Sequence, residues 1–150
     1  FSHTIGEGGL NLTERLAHES GISINSAEKR NLSFDLTKPT DTADRAIVRD
    51  HYVRILEEAH EALRHISHPV TRVVFTGGAS TIAGLKPLTE KILGYRTKRG
   101  VLSKTALGKN VTLGLPRNDA KQTLYAGAYG LALRGASRET LRRGINFVKN

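Results

Sequence analysis

Two pairs of adjacent glycines, Gly8-Gly9 and Gly77-Gly78, and one short charged stretch, Ala27-Glu28-Lys29-Arg30, are the places in this 150-residue chain where residue type and spacing could do chemistry. Gly77-Gly78 follows the short β-branched run Val70 to Thr76. Without Cβ atoms the chain can turn sharply there, a flat or charged ligand can approach the peptide groups of Gly77, Gly78 and Ala79, and a following helix would offer free N–H donors. The same turn serves packing alone in many α/β proteins. It is neither a phosphate loop ending in Gly-Lys-Ser/Thr nor a dinucleotide fingerprint with three spaced glycines. Gly8-Gly9-Leu10-Asn11-Leu12-Thr13 supplies a second glycine turn ahead of a helix. Glu28 is a carboxylate able to accept ribose hydroxyls, and Lys29 and Arg30 are long cations able to lie along a purine ring. The plain alternative is that these three are solvated helix charges.

Other reactive residue types form no pattern. His51, His60, His65 and His68 lie in or at the end of one helix, but the last three are not at the four-residue step that puts two imidazoles on one metal. No metal ligand set and no catalytic residue is assigned. Ser80, Ser103 and the histidines make no nucleophile arrangement, and no Gly-x-Ser-x-Gly elbow occurs. Glu57 and Glu58 read as surface neighbours of Glu61 and Arg54 on the polar side of their helix.

The composition fits a soluble globular chain, with 25% charged residues and one domain as the expectation at this length. The net charge of +9 and pI near 10.2 favour anionic partners. The late cations, Lys86 to Lys109 and Arg134 to Lys149, are interleaved with apolar residues and glycines and lack the aromatic ladder of a single-strand binder. A basic face toward a membrane surface or an acidic protein is therefore the preferred reading over nucleic acid. With no cysteine there is neither disulfide framework nor thiolate metal site, and a reducing compartment is the easier reading. No apolar run approaches the roughly 18 residues of a membrane span. The chain has no methionine, and Phe1 to Ile5 alternates like a strand entered mid-protein, so a fragment of a longer protein is expected.

The elements that must position these residues follow from periodicity. Phe1 to Ile5 predicts a strand, then a helix over about 11–20 with Asn11 as cap and Gly21 as stop. Ser26 can cap a short helix through Ser33. Thr42 or Asp41 caps the longest helix, carrying Ile47, Val48, Tyr52, Ile55, Leu56, Ala59, Leu63 and Ile66, which ends near Ser67-His68-Pro69. Val70 to Thr76 predicts a central strand, and Ile82 to Leu93 a helix that Pro87 bends or delays and Gly94 stops. Tyr95 to Arg99 and parts of 101–115 read as short strands and loops. A final helix spans Ala120 to Arg134, and Ile145 to Val148 is strand-like. Helices alternating with strands imply an α/β fold.

In order, these motifs resemble the actin-like ATPase superfamily, most closely its bacterial PilM, GspL and FtsA branch. The Gly8-Gly9 turn resembles that family's Gly-Gly-x-x-(Ile/Leu)-Thr, Ala27-Glu28-Lys29-Arg30 its Ala-Glu-x-x-Lys helix, and Thr76-Gly77-Gly78-Ala79-Ser80 its adenosine motif. Lys29-Arg30-Asn31-Leu32-Ser33 is also similar to the adenosine-contacting stretch of DnaK-type chaperones. Leu124 to Arg134 is similar to the Ala-x-Gly-Leu-Ala-Leu-Arg helix that closes PilM-type chains. The resemblance implies a partial actin-like, ribonuclease H-like fold: the second subdomain, with a mixed sheet and flanking helices, filling 1–150 as one C-terminal half. It further implies Gly77, Gly78 and Ala79 at the adenine and α-phosphate, Glu28 at the ribose, Lys29 or Arg30 near the base, and Gly8 and Gly9 toward the phosphates. Two departures stand out: Leu10 replaces an acidic residue, and Asn31 takes the lysine position of Ala-Glu-x-x-Lys. The carboxylate-bearing phosphate loops of the family lie upstream of Phe1, so ATP is an implied ligand, magnesium only with that upstream half, and turnover by this piece is not expected.

The function so implied is an actin-like scaffold domain of a type II secretion or type IV pilus platform, cytoplasmic at the inner face of the bacterial inner membrane. Its partners would be inner-membrane platform proteins and the secretion or pilus ATPase. The ending Arg142-Arg143-Gly144-Ile145-Asn146-Phe147 resembles both the approach of GspL-type chains to their membrane span and the Ile-Asn-Leu tail motif that PilM binds. The alternatives within the superfamily are an FtsA-like membrane-tethered cell-division protein and a phosphotransferase.

Overall fold

A computed structural model describes residues 1–102 and 122–136. They form two compact units, one of residues 1–74 with 81–98, the other containing residues 75–80, 99–102 and 122–136. The architecture is α/β, as expected: helices α1 (Gly9–Ser20), α2 (Ile24–Asn31), α3 (Ala43–Leu63) and α4 (Leu85–Leu93), strands β1 (Val73–Phe75) and β2 (Thr97–Arg99), and helix α5 (Ala126–Ala136).

The first unit is a helical layer whose core follows the sequence periodicity. Leu12, Thr13, Leu16 and Ala17 make one buried face of α1, which packs on α2 and α3. Ile47, Val48, Tyr52 and Leu56 continue the core along α3, joined by His51 and Ala62, and α3 packs in turn on α4 through Leu85, Leu88 and Leu93.

The helix ends show the local chemistry at work. Gly8, not Asn11, is the N-cap of α1; Asn11 stands one turn in, and its Oδ1 accepts the Gly8 N–H at 2.9 Å. Gly21 ends α1 in the left-handed region at φ 63°, as its position predicts. Ser23 rather than Ser26 caps α2, its Oγ accepting the Ser26 N–H at 3.2 Å. Thr42 caps α3. Asp44, in the first turn of α3, accepts hydrogen bonds from Ser20 Oγ at 2.6 Å and from Arg30, tying three helices at one carboxylate. The Ser20 hydroxyl first, and then the Arg30 guanidinium, hold Asp44 below the usual carboxylate range.

Two expectations about strands are corrected. Phe1 to Ile5 is not a strand: an extended segment needs a ladder partner, and here it instead lines an apolar cavity of about 340 Å³ with Ala59, Leu63, Ile66 and Val70, while His3 Nε2 lies 3.2 Å from Glu58. The predicted central strand is reduced to Val73–Phe75 and pairs with β2 alone among the described residues, in parallel. Val73 N–H donates to the Arg96 carbonyl at 2.9 Å, and Gly100 N–H to that of Phe75 at 2.8 Å. Val74 is accordingly half exposed. The expected mixed sheet is a two-stranded parallel one within the described residues. The proposed strands and loops over 103–115 and the strand-like 145–148 lie outside them, as do the first two residues of the last helix, which otherwise begins as a 3-10 turn at Thr123–Tyr125 before α5.

The start of α4 depends on one close approach. Ala83 forms an isolated parallel bridge with Asp35, and Leu36 N–H donates to the Ala83 carbonyl at 2.9 Å. Gly84 follows at φ +81°, and a Cβ there would sit 2.7 Å from Thr37 N and 3.0 Å from the Leu36 carbonyl carbon. The glycine breaks any helix running on from Ile82, so α4 begins at Leu85. Pro87 falls in its first turn, where no backbone N–H is needed.

His51 is a buried titratable group of this unit, 2% exposed. Its Nδ1 lies 3.1 Å from Glu7 Oε2, its ring meets Tyr52 edge-on at 5.7 Å, and Glu7 also binds Arg54 at 3.1 Å. Burial, helped by Arg54 and Arg15 and opposed by Glu7, holds the imidazole below its ordinary 6.5, so it is neutral at pH 7 and donates from Nδ1.

Two predictions follow from these sites. Gly84→Ala combines a disfavoured φ with a backbone clash and should cost about 2–4 kcal/mol in urea unfolding, against about 1–2 kcal/mol for Gly94→Ala. Gly94 has φ +74° but open space around it. Equal losses would show that the contact with Leu36 and Thr37 is immaterial. Because the folded His51 binds its proton less readily than the unfolded one, its contribution is full above 6.5 and is lost as pH falls from there toward the folded value. His51→Phe should therefore flatten the decline in unfolding free energy between pH 7 and 5; an unchanged slope would contradict the assignment.

Candidate functional site

The candidate residues fall on three local frames. Gly8 caps α1 with extended backbone at φ −150°, and Gly9 is its first residue; a Cβ at Gly9 would meet nothing within 4 Å. Crowding within the protein therefore does not require either glycine, and the space at this helix N-terminus is open to a ligand. The Gly9 carbonyl accepts from the buried Thr13 hydroxyl at 3.0 Å.

Glu28, Lys29 and Arg30 sit on successive positions of α2, all exposed, with Ala27 buried beneath them. The short helix turns these side chains through about 100° per step, so the three do not share one face. Arg30 is committed to Asp44 of α3 by an ion pair. Glu28 and Lys29 take part in no ion pair among the described residues. Of the two cations proposed near a base, Lys29 is thus the one at liberty to reach a ligand.

Gly77, Gly78 and Ala79 belong to the second unit, and the turn they make is tightly held from inside. Gly77 adopts φ +84°, a conformation that excludes most side chains, immediately after β1. Its N–H donates to the Thr123 carbonyl at 3.0 Å, while its own carbonyl accepts from Ser80 Oγ at 2.6 Å. A 3.1 Å hydroxyl–hydroxyl bond joins Ser80 to Thr123, and Thr123 is fully buried. Arg99 Nε donates to the Ser80 carbonyl at 3.0 Å. Gly78 and Ala79 remain exposed on the outside of the turn, and a Cβ at Gly78 would make only an ordinary contact, 3.6 Å, with Leu124.

This geometry corrects one part of the expectation. The glycine pair does not open directly into an α-helix: a 3-10 turn, Gly78–Thr81, intervenes, and α4 starts only at Leu85 because Gly84 forbids continuation. Gly77-Gly78 therefore does not form the N-terminus of an α-helix.

Sequence reasoning missed Thr123 and Arg99. Arg99 was visible only as one of many cations, and Thr123 carries no local signal because its role arises from a contact 43 positions away in the chain. Among the described residues no group of three His, Asp or Glu side chains is placed to hold a metal ion, and no helix is long and apolar enough to cross a membrane.

Thr123→Val keeps the shape but removes a buried hydroxyl, leaving Ser80 short of a partner. It should lower stability by about 1–3 kcal/mol in urea unfolding, with Thr123→Ser retaining most of it. If valine is tolerated without loss, the hydroxyl pair does not hold the turn.

No protein-family model matches the chain and no curated protein matches it, so the functional reading rests on the chain's own residues.

Proposed function

We propose that this chain is the second half of an actin-like domain that serves as a cytoplasmic scaffold in a type II secretion or type IV pilus platform, binding assembly partners and ATP. The single observation that carries the nucleotide part is the Gly77 turn. Positive φ at Gly77, an internal clamp from Ser80 and Thr123, and an exposed outer surface at Gly78 and Ala79 make a preformed, side-chain-free ledge after a strand. A ligand that lies flat against peptide groups, as an adenosine does in the family the motifs resemble, suits such a ledge. Glu28 and Lys29 are exposed carboxylate and cation of the types that would meet ribose and base.

Binding without turnover is the consistent form of this reading. Phosphoryl transfer needs groups that hold the metal and position the attacking oxygen, and none of the assigned residues, Gly8, Gly9, Glu28, Lys29, Arg30, Gly77, Gly78 and Ala79, does so. The scaffold role draws on the order of motifs along the chain and on its basic character, with net charge +9 suited to an anionic membrane surface or an acidic partner.

The test is calorimetric titration of ATP into the full-length protein and into Gly78→Val. A Cβ at Gly78 would make only an ordinary contact, 3.6 Å from Leu124, so the turn accepts a side chain there. An unchanged circular dichroism spectrum of the variant shows that any loss of binding reports on the outer surface of the turn. Affinity should fall at least about tenfold, a loss of about 1.4 kcal/mol, with no phosphate released by residues 1–150 on their own. Equal affinities would sink the site; phosphate release by this chain alone would favour the phosphotransferase.

A further inference from the structure

The register of β1 and β2 creates a second feature that the nucleotide reading does not use. Because Val73 N–H bonds to the Arg96 carbonyl, Val73 lies opposite Thr97, and Arg72 lies opposite Arg96. Thr97 is buried, so the two-residue repeat turns Arg72, Arg96 and Lys98 to the other face, where all three are exposed. Like charges directly opposite one another on neighbouring strands are destabilising. Among the described residues, none of the three takes part in an ion pair.

These cations surround an open cavity of about 620 Å³ that Lys86 of α4 and Tyr95 also line. Glu90 is the single carboxylate in its wall, and it is already engaged: its Oε1 accepts the Thr97 N–H at 2.9 Å and stands 4.0 Å from Lys86 Nζ. Four cations face one carboxylate in a concave site of the size that holds small ligands.

We propose that this cavity binds a phosphate chain, with Arg72 and Arg96 as paired forks on neighbouring phosphates and Lys86 and Lys98 completing the charge. Arg72 and Arg96 immediately precede neighbouring strands whose backbones lie roughly 5 Å apart, so both side chains can reach one compact polyanion. Carboxylates on one face of an extended peptide recur only about every 6.6–6.8 Å and match that density less well. The planar Arg fork suits phosphate oxygens bidentately. Free polyphosphate and the phosphate tail of a nucleotide share this chemistry.

The test uses the full chain at about 0.15 M salt, where distant surface charges are screened. Inorganic triphosphate and ATP are titrated by calorimetry into four proteins: wild type, Gly78→Val, Arg72→Gln/Arg96→Gln and Lys38→Gln/Lys91→Gln. Inorganic triphosphate should bind wild type and Gly78→Val alike, lose at least about tenfold in affinity for Arg72→Gln/Arg96→Gln, and change less than about threefold for the lysine pair. It carries no base, so its loss in the arginine variant is separate from any failure of ATP at Gly78. ATP binding that survives only through Arg72 and Arg96 would identify a nucleotide tail as the source; triphosphate binding as tightly as ATP would identify a free polyphosphate. Unchanged triphosphate affinity in the arginine variant, or an equal loss in the lysine variant, would overturn the site. So would tighter binding of a hexaglutamate peptide than of triphosphate. Removing the opposed charges should leave the thermal midpoint unchanged or raised; if the variant unfolds, Lys86→Gln/Lys98→Gln must show the same selective loss.

Discussion

The backbone approach between Gly84 and the segment Leu36-Thr37 is the constraint from which the first unit is built. It needs a residue with no Cβ and a left-handed φ at the same position, and only glycine meets both conditions. Once it is made, Leu36 and Ala83 are hydrogen-bonded, and the Leu36 carbonyl is free on its other side to accept from Arg49 of α3 at 2.8 Å. The loop between α2 and α3 is thus held against both α3 and the start of α4. The position of α4 then fixes β2, because Glu90 reaches from the helix to the Thr97 N–H. A single glycine therefore stands upstream of the hydrogen bond that ties Thr97, between Arg96 and Lys98, to α4.

A second tie works through charge rather than shape. Asp44 lies in the first turn of α3, where the helix dipole favours a carboxylate, and takes hydrogen bonds from the last residue of α1 and from α2. Glu7, Arg54, Asp50 and Arg15 form a further chain of ion pairs between α3, α1 and the segment ahead of Gly8. Exposed pairs of this kind are each worth little. What makes this chain consequential is that it closes over His51, whose buried ring holds Glu7 at 3.1 Å and with it the residues leading into α1.

Periodicity made the helices legible. The four-residue steps of Leu12 with Leu16, and the run from Ile47 to Leu63, are one-face patterns that burial alone enforces, and Gly21, Thr42 and Gly94 mark ends by chemistry local to the chain. The strands were less legible because a strand is defined by its partner. Phe1 to Ile5 alternates correctly yet pairs with nothing among the described residues, and Val70 to Thr76 yields only three paired positions. The same limit applies to the site. Gly77 could be named from sequence because positive φ after a strand demands glycine, whereas Thr123, which holds that glycine's amide and faces Ser80, is brought there by tertiary structure.

Register joins these threads. In a two-stranded ladder a slip of one residue exchanges the faces, so the burial of Thr97 and the half-burial of Val73 decide that Arg72, Arg96 and Lys98 face outward together. A slip would turn Thr97 out to solvent and bring Arg96 and Lys98 to the face where Thr97 is now buried, at a desolvation cost above that of crowding them in solvent. The sheet thus accepts like-charge repulsion on its open face as the smaller of two costs. That residual repulsion is what an anion in the cavity would relieve, and it exists because the burial of Thr97 and its bond to Glu90, not the charges, set the pairing.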